Sequence, residues 1–125
     1  MSEPRRNDHV RVRPRRLRRT SALRQLVTET RLHPSDLVLP LFYREGLVSP
    51  TPIPSMPGAL PHTEDSLGVA VNDAAAAGLG AIMLFAVPEK RDELGSGATD
   101  PDGALNFAVR TALKEVGDTC VVMAD

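Results

Sequence analysis

The 125-residue sequence has no tryptophan, one tyrosine (Tyr43) and three phenylalanines (Phe42, Phe85, Phe107). With no ring before Phe42, the arginine-rich start of the chain offers nothing on which nucleobases could stack. The single cysteine, Cys120, cannot close an internal disulfide and lacks the cysteine or histidine partners of a zinc site. A reducing cytoplasm is the expected compartment. Nothing approaches the roughly 20 apolar residues that cross a bilayer, and no apolar segment follows the N-terminal arginines, so neither a membrane span nor a secretory signal is expected. Lysine is scarce as well: Lys90 and Lys114 stand against thirteen arginines.

What is present is one domain's worth of globular composition, 42% hydrophobic and 25% charged. The net charge of -1 conceals a division. Residues 1–25 hold nine arginines against Glu3 and Asp8, a balance of +7, and residues 26–125 carry -8. A basic arm on an acidic body can bind nucleic acid or anionic lipid, or can lie on the acidic surface of a neighbouring copy. Without stacking residues, the expectation is subunit association and no nucleic-acid partner.

Residues 1–20 lack periodicity, contain Pro4 and Pro14, and repel themselves through RPRRLRR; an extended arm is expected. Leu23, Leu26 and Val27 predict a short helix from Ser21 to about Arg31, stopped by His33-Pro34. Leu37–Tyr43 (LVLPLFY) is apolar throughout, as in a strand of a parallel sheet buried on both faces. Pro40 conflicts with a central strand unless its missing N–H falls where no ladder donor is needed. Residues 49–61 hold five prolines and read as a long loop. Thr63 is a candidate N-cap, followed by Leu67, Ala70, Val71 and Ala74 on one helical face and ended by Gly78.

Ala81–Val87 (AIMLFAV) is a second apolar strand, and EKRDELGSGATDPDG after Pro88 is a charged, glycine-rich loop of a length that is usually functional or disordered. Asp102 is the expected cap of a third helix, with Leu105, Ala108, Val109, Ala112, Leu113 and Val116 at helical period and Gly117 as its stop. Cys120–Ala124 begins a third strand. Strand starts 44 and 39 residues apart, with a helix in each interval, predict a parallel α/β sheet with right-handed crossovers. Both barrels and open doubly wound sheets are built this way. Residues 21–125 are expected to form the first three strands of an incomplete α/β domain.

Reactive groups of such folds sit at the C-terminal ends of the strands. These ends are Tyr43–Gly46, Glu89–Asp92 and Asp125. An acid at the end of an apolar strand is costly to bury unless paired, which makes Asp125 the site candidate. Lys90 sits in a run of charges that reads as a solvated loop. The LGSGATD segment, with Gly95, Ser96 and Gly97, lacks the GxxxxGK[ST] and GxGxxG phosphate patterns and reads as a mobile lid. His9, His33 and His62 have no spacing suited to metal, and read as surface residues. No G-x-S-x-G elbow is present, and Cys120 lies inside a strand as a small hydrophobe.

Taken in order, several segments resemble the N-terminal part of the delta-aminolevulinic acid dehydratase (porphobilinogen synthase) family. They are RPRRLRRTSALRQLV and ETRLHPSDLVLPLFYREG within residues 13–46, SMPG at 55–58, AAAAGLGAIMLFAVPEKRDELGSGA at 74–98, and VVMAD at 121–125. The resemblance implies a TIM-like (β/α)8 barrel whose N-terminal arm embraces a neighbour in a homo-octamer. It implies condensation of two 5-aminolevulinate molecules to porphobilinogen with loss of water, a step of haem and tetrapyrrole synthesis. Zinc and/or magnesium is expected for the full-length enzyme, and neither is expected on this segment. By the VVMAD match, Asp125 is expected at the active-site mouth, orienting substrate or a lysine amine. The family's Schiff-base lysines, carboxylate-binding groups and metal segment belong to later parts of the chain, and Lys90 and Lys114 do not occupy its lysine motifs. A fragment inactive by itself is therefore expected. A basic-armed binding module would explain the charge division but not the ordered matches, and the N-terminal half of another barrel enzyme would be told apart by the sequence after Asp125.

Overall fold

The computed structural model describes residues Arg15–Asp125 and divides them at Arg31 and Leu32 into two units. The part of the expected arm before Arg15 lies outside the described residues. In the first unit, Arg15–Arg18 forms a 3-10 turn in place of extended chain. Helix α1, Ser21–Leu26, follows, and Thr20 caps it by accepting the N–H of Leu23 at 3.2 Å. The helix is shorter than its apolar spacing predicted. Thr28 Oγ1 donates to the carbonyl of Arg24 at 2.6 Å and so takes an acceptor that a continuing turn would have used.

The second unit is a parallel sheet of β1 (Val38–Arg44), β2 (Pro61–His62), β3 (Ala81–Val87) and β4 (Val121–Ala124), in the order β2-β1-β3-β4. The α/β class is as expected, but there are four strands where three were expected. The addition, β2, is two residues at the end of the proline-rich loop, too short for a periodicity to show. It pairs with β1 only at Phe42 and Tyr43.

Pro40 explains itself in this register. Leu37 O accepts from Ala81, and Glu45 N–H donates to Val87 O, so odd-numbered residues of β1 bond to β3 and even-numbered ones face the other way. Pro40 faces the outer edge below the reach of β2, where no donor is required.

Helix α2 (Glu64–Ala76) opens with a reciprocal capping box: Thr63 Oγ1 accepts the N–H of Ser66 at 3.1 Å, and Ser66 Oγ accepts that of Thr63 at 2.9 Å. Helix α3 (Ala104–Val116) is capped by Gly103, not by Asp102 as expected. The Asp102 carboxylate turns instead to Arg110, one turn and more into the helix, at 3.5 Å. A Cβ on Gly103 would run into the carbonyl of Gly97, so only glycine allows the loop to fold this close to the helix start.

Both helices lie on one face of the sheet. Leu67, Val71 and Ala74 of α2 and Ala104, Ala108, Ala112 and Val116 of α3 bury against Leu41, Tyr43, Ile82, Leu84 and Cys120. The alanine stripe of α3 is what permits close approach to the strands. Cys120 is a buried core residue, in keeping with its reading as a small hydrophobe. The other face of the sheet has no covering layer among the described residues, although the strands are apolar on both sides. Val38, Val121 and Met123 are 46%, 57% and 37% exposed there.

Candidate active-site rim

Strand register sets three rows of side chains on the open face, because parallel neighbours in register point the same way. They run Val38, Ala81 and Val121; then Pro40, Met83 and Met123; then Phe42 and Phe85. Asp125 completes the third row. Its N–H donates to the carbonyl of Leu84 at 3.1 Å, which extends the β4 ladder by one residue and sets Asp125 beside Phe85. Phe42 and Phe85 stack with centroids 5.3 Å apart and planes at 21°. The row lies at the C-terminal ends of the strands, the end where parallel α/β folds carry their chemistry. An exposed carboxylate thus borders a half-buried aromatic shelf. The shelf was not singled out from sequence. Its signal was present only as two phenylalanines at equivalent points of two strands, and register is needed to see it.

The loop that leaves β3 is fixed at both ends. Glu45 donates its N–H to Val87 O at 3.0 Å and accepts the N–H of Glu89 on Oε2 at 2.9 Å. Gly46 turns the chain at φ 71°, a left-handed conformation that suits glycine, beside the Glu89 carboxylate. At the far end Asn106 Nδ2 donates to Asp100 O at 2.6 Å, and Arg110 donates to Pro101 O while pairing with Asp102. Ser96–Ala98, with Gly97 at its centre, forms a short 3-10 turn behind Gly95, and Asp92 closes it: its carboxylate accepts both the hydroxyl and the N–H of Ser96. Those bonds hold the Asp92 carboxyl below its usual range. A shallow groove of about 320 Å³ lies between this loop and the strand ends, lined by Glu45, Glu89, Lys90, Asp100 and Asp102.

Lys90 is exposed on the loop, and Lys114 is exposed near the end of α3, the helix that covers the opposite face of the sheet. His33 is exposed and caps the Pro34–Asp36 turn, and His9 lies outside the described residues. His62 is half-buried rather than at the surface: its Nδ1 is 3.3 Å from Ser66 Oγ, and burial lowers its pKa. Among the described residues no three His, Cys, Asp or Glu side chains converge as a metal centre would require.

A parallel sheet covered by helices on one face only, with its aromatic row at the C-terminal ends of the strands, defines a portion of a larger α/β domain. Residues 11–125 match the family model described as delta-aminolevulinic acid dehydratase, and the chain belongs to that family. A delta-aminolevulinic acid dehydratase of Streptomyces coelicolor is 53% identical over 116 residues, which are 91% of this chain and 35% of that protein. One from Mycobacterium tuberculosis is 50% identical over 121 residues, 95% of this chain and 37% of that protein. The crystal structure of delta-aminolevulinic acid dehydratase (porphobilinogen synthase) from Toxoplasma gondii, in complex with the reaction product porphobilinogen, superposes with a TM-score of 0.72 at 32% identity. That match covers 94% of this chain and 33% of the crystallised one. The chain spans about a third of the length of the curated relatives it matches.

Proposed function

We propose that this chain is the first part of the catalytic barrel of a porphobilinogen synthase, which joins two 5-aminolevulinate molecules with loss of water. The observation that carries the reading is the row Phe42, Phe85, Asp125 at the C-terminal ends of three adjacent strands in a chain of this family. On the open face, the aromatic pair presents apolar area to the carbon chain of a substrate. Asp125 presents carboxylate oxygens that accept hydrogen bonds from an ammonium or amine. A carboxylate so placed orients an amino group and holds or takes its proton. Forming an imine needs a lysine amine that is neutral near pH 7, produced by burial or neighbouring positive charge. Lys90 and Lys114 are exposed, so the imine lysines of this reading belong to chain beyond the sequence described. The residues described provide no donor set for zinc or magnesium, and no step is assigned to a metal.

The test replaces the matching third of the Streptomyces coelicolor relative with residues 1–125 and follows porphobilinogen formation. The chimera is expected to turn over, and Asp125→Asn is expected to lower kcat by about 10²–10⁴-fold, the range for a positioned acid–base group. Full turnover by Asp125→Asn would sink the role given to Asp125. A folded chimera with no turnover would sink the function.

A further inference from the structure

The rows of the open face are apolar from Val38, Ala81 and Val121 up to the Phe42–Phe85 stack, and Val87 continues them on β3. Two charged residues interrupt them. One is Asp125, beside Phe85. The other is Arg44, the last residue of β1, which follows Phe42 by two positions and is in register with Val87. Tyr43, between them, points into the helices, so the Arg44 side chain leaves the sheet on the open face, one row beyond the stack. An otherwise apolar face thus carries one cation and one anion, both at the C-terminal ends of the strands and on opposite sides of β3.

These two charges do not pair with each other. The strands that bear them are two spacings apart, about 10 Å, and the residues are offset by a further row, which is beyond the reach of an ion pair. Nearer carboxylates leave Arg44 free as well. It lines a groove of about 360 Å³ together with Glu45 and Glu89, yet Glu45 Oε2 accepts the N–H of Glu89 at 2.9 Å, and the ion pair formed among the described residues is that of Arg110 with Asp102. Arg44 is exposed, and its guanidinium has no hydrogen-bond or ion-pair partner among the described residues. A cation and an anion held this far apart, with an aromatic shelf between them, fit an extended amino acid whose ammonium and carboxylate stand at opposite ends. An α-amino acid, with its charges on neighbouring atoms, cannot span them.

We infer that Arg44 binds the carboxylate of the substrate whose amino end lies at Asp125, and so selects a δ-amino acid over an α-amino acid. The guanidinium offers two parallel N–H donors to the two carboxylate oxygens, a geometry that a point charge does not supply. The inference rests on the open face being part of a porphobilinogen synthase site. It adds a carboxylate ligand on β1 to those that the family resemblance assigns to later chain. Arg44 moves no proton, so its loss falls on KM more than on kcat.

The experiment uses the chimera that carries residues 1–125 in the Streptomyces coelicolor relative. Arg44→Met is expected to raise KM for 5-aminolevulinate about tenfold or more and to weaken calorimetric binding of 4-oxopentanoate, the substrate without its amino group, by a similar factor. Arg44→Lys is expected to recover part of the loss, and Arg44→Gln repeats the comparison with a side chain of closer shape and polarity. Aminoacetone, an amino ketone without a carboxylate, is expected to bind Arg44→Met and its parent within about twofold, which a merely structural residue would not give. Lys114→Met, which removes a charge on the helix-covered side, is the control expected to leave both ligands unaffected. Unchanged KM and unchanged 4-oxopentanoate binding in Arg44→Met, in a chimera that turns over, overturn the role of Arg44 and leave the proposed function standing. Equal loss for 4-oxopentanoate and aminoacetone, or a loss confined to kcat, overturns it too. A folded chimera that neither turns over nor binds 4-oxopentanoate overturns both.

Discussion

The hydroxyl of Tyr43, at the buried end of β1, donates to Oε1 of Glu64 in the first turn of α2 at 3.4 Å, while its ring packs against Phe107 of α3 with centroids 5.3 Å apart. One side chain therefore ties a strand to both covering helices, close to the strand end that bears the candidate site. Burial, with the negative charges of Glu64 and Glu45, pushes its pKa from 10.0 to about 12.

Because the folded value is raised, the Tyr43 contribution is intact below pH 10, where the phenol is neutral folded or unfolded, and is lost as pH rises towards 12. Denaturant unfolding should show stability falling in that window. Tyr43→Phe should remove that part of the fall and cost about 0.5–1.5 kcal/mol at neutral pH, the worth of one hydrogen bond. An unchanged alkaline slope in Tyr43→Phe refutes the link.

Gly80 precedes β3 where the chain passes against the backbone of Ser35, and an added Cβ would meet the Ser35 carbonyl. Neither partner is a side chain that can turn aside. Gly80→Ala should therefore destabilise by more than the roughly 0.5 kcal/mol within which surface changes usually fall, on the order of 2 kcal/mol or beyond. Gly97→Ala, which meets nothing within 4 Å, is the control expected to be near neutral. Equal midpoints for the two variants in urea would contradict the close approach.

The loop from Glu89 to Asp102 is expected to move most at Lys90 and Arg91, between the bond from Glu89 to Glu45 and the Asp92–Ser96 turn, and to stay seated where Asn106 and Arg110 hold it. Hydrogen exchange should show Asn106→Ala and Arg110→Ala loosening residues 97–102, with α3 itself unaltered. The Asp92 cap works in the opposite sense to Tyr43: a lowered carboxyl pKa is stabilising above its ordinary 3.8 and is lost as pH falls below it. Protection at Ser96, measured against the intrinsic exchange rate at the same pH, should accordingly fall in acid, and Asp92→Asn should show that lower protection already at neutral pH. In the chimera, protection that does not change on adding 5-aminolevulinate rules out a lid.

Borohydride added to residues 1–125 with 5-aminolevulinate should trap no adduct on Lys90 or Lys114, since neither sits in the apolar or cationic setting that keeps a lysine neutral. Peptide mapping that finds a reduced imine on either would place the covalent chemistry within this chain.

Removing residues 1–20 from the chimera should lower its assembly state in sedimentation, as expected if the nine arginines among residues 1–25 bind acidic surface on neighbouring copies. An unchanged assembly would leave the arm without that role.

By itself the sequence determined the α/β class, the order of the main strands and helices, the Thr63 cap and the inward stripe of α3, because each is a local matter of period, capping chemistry or turn residue. It also carried the family, through motifs that lie in order along the chain. Other features waited on the fold. Two-residue β2 has no period of its own and exists only because β1 offers it an edge. Asp102 could cap α3 in principle, but Arg110 and the Gly97–Gly103 approach claimed the position for glycine. Pro40 looked wrong for a strand until ladder direction showed that its missing donor faces outward. The row Phe42, Phe85, Asp125 joins residues some forty positions apart in sequence, and only strand register, a property of pairing between distant segments, brings them together.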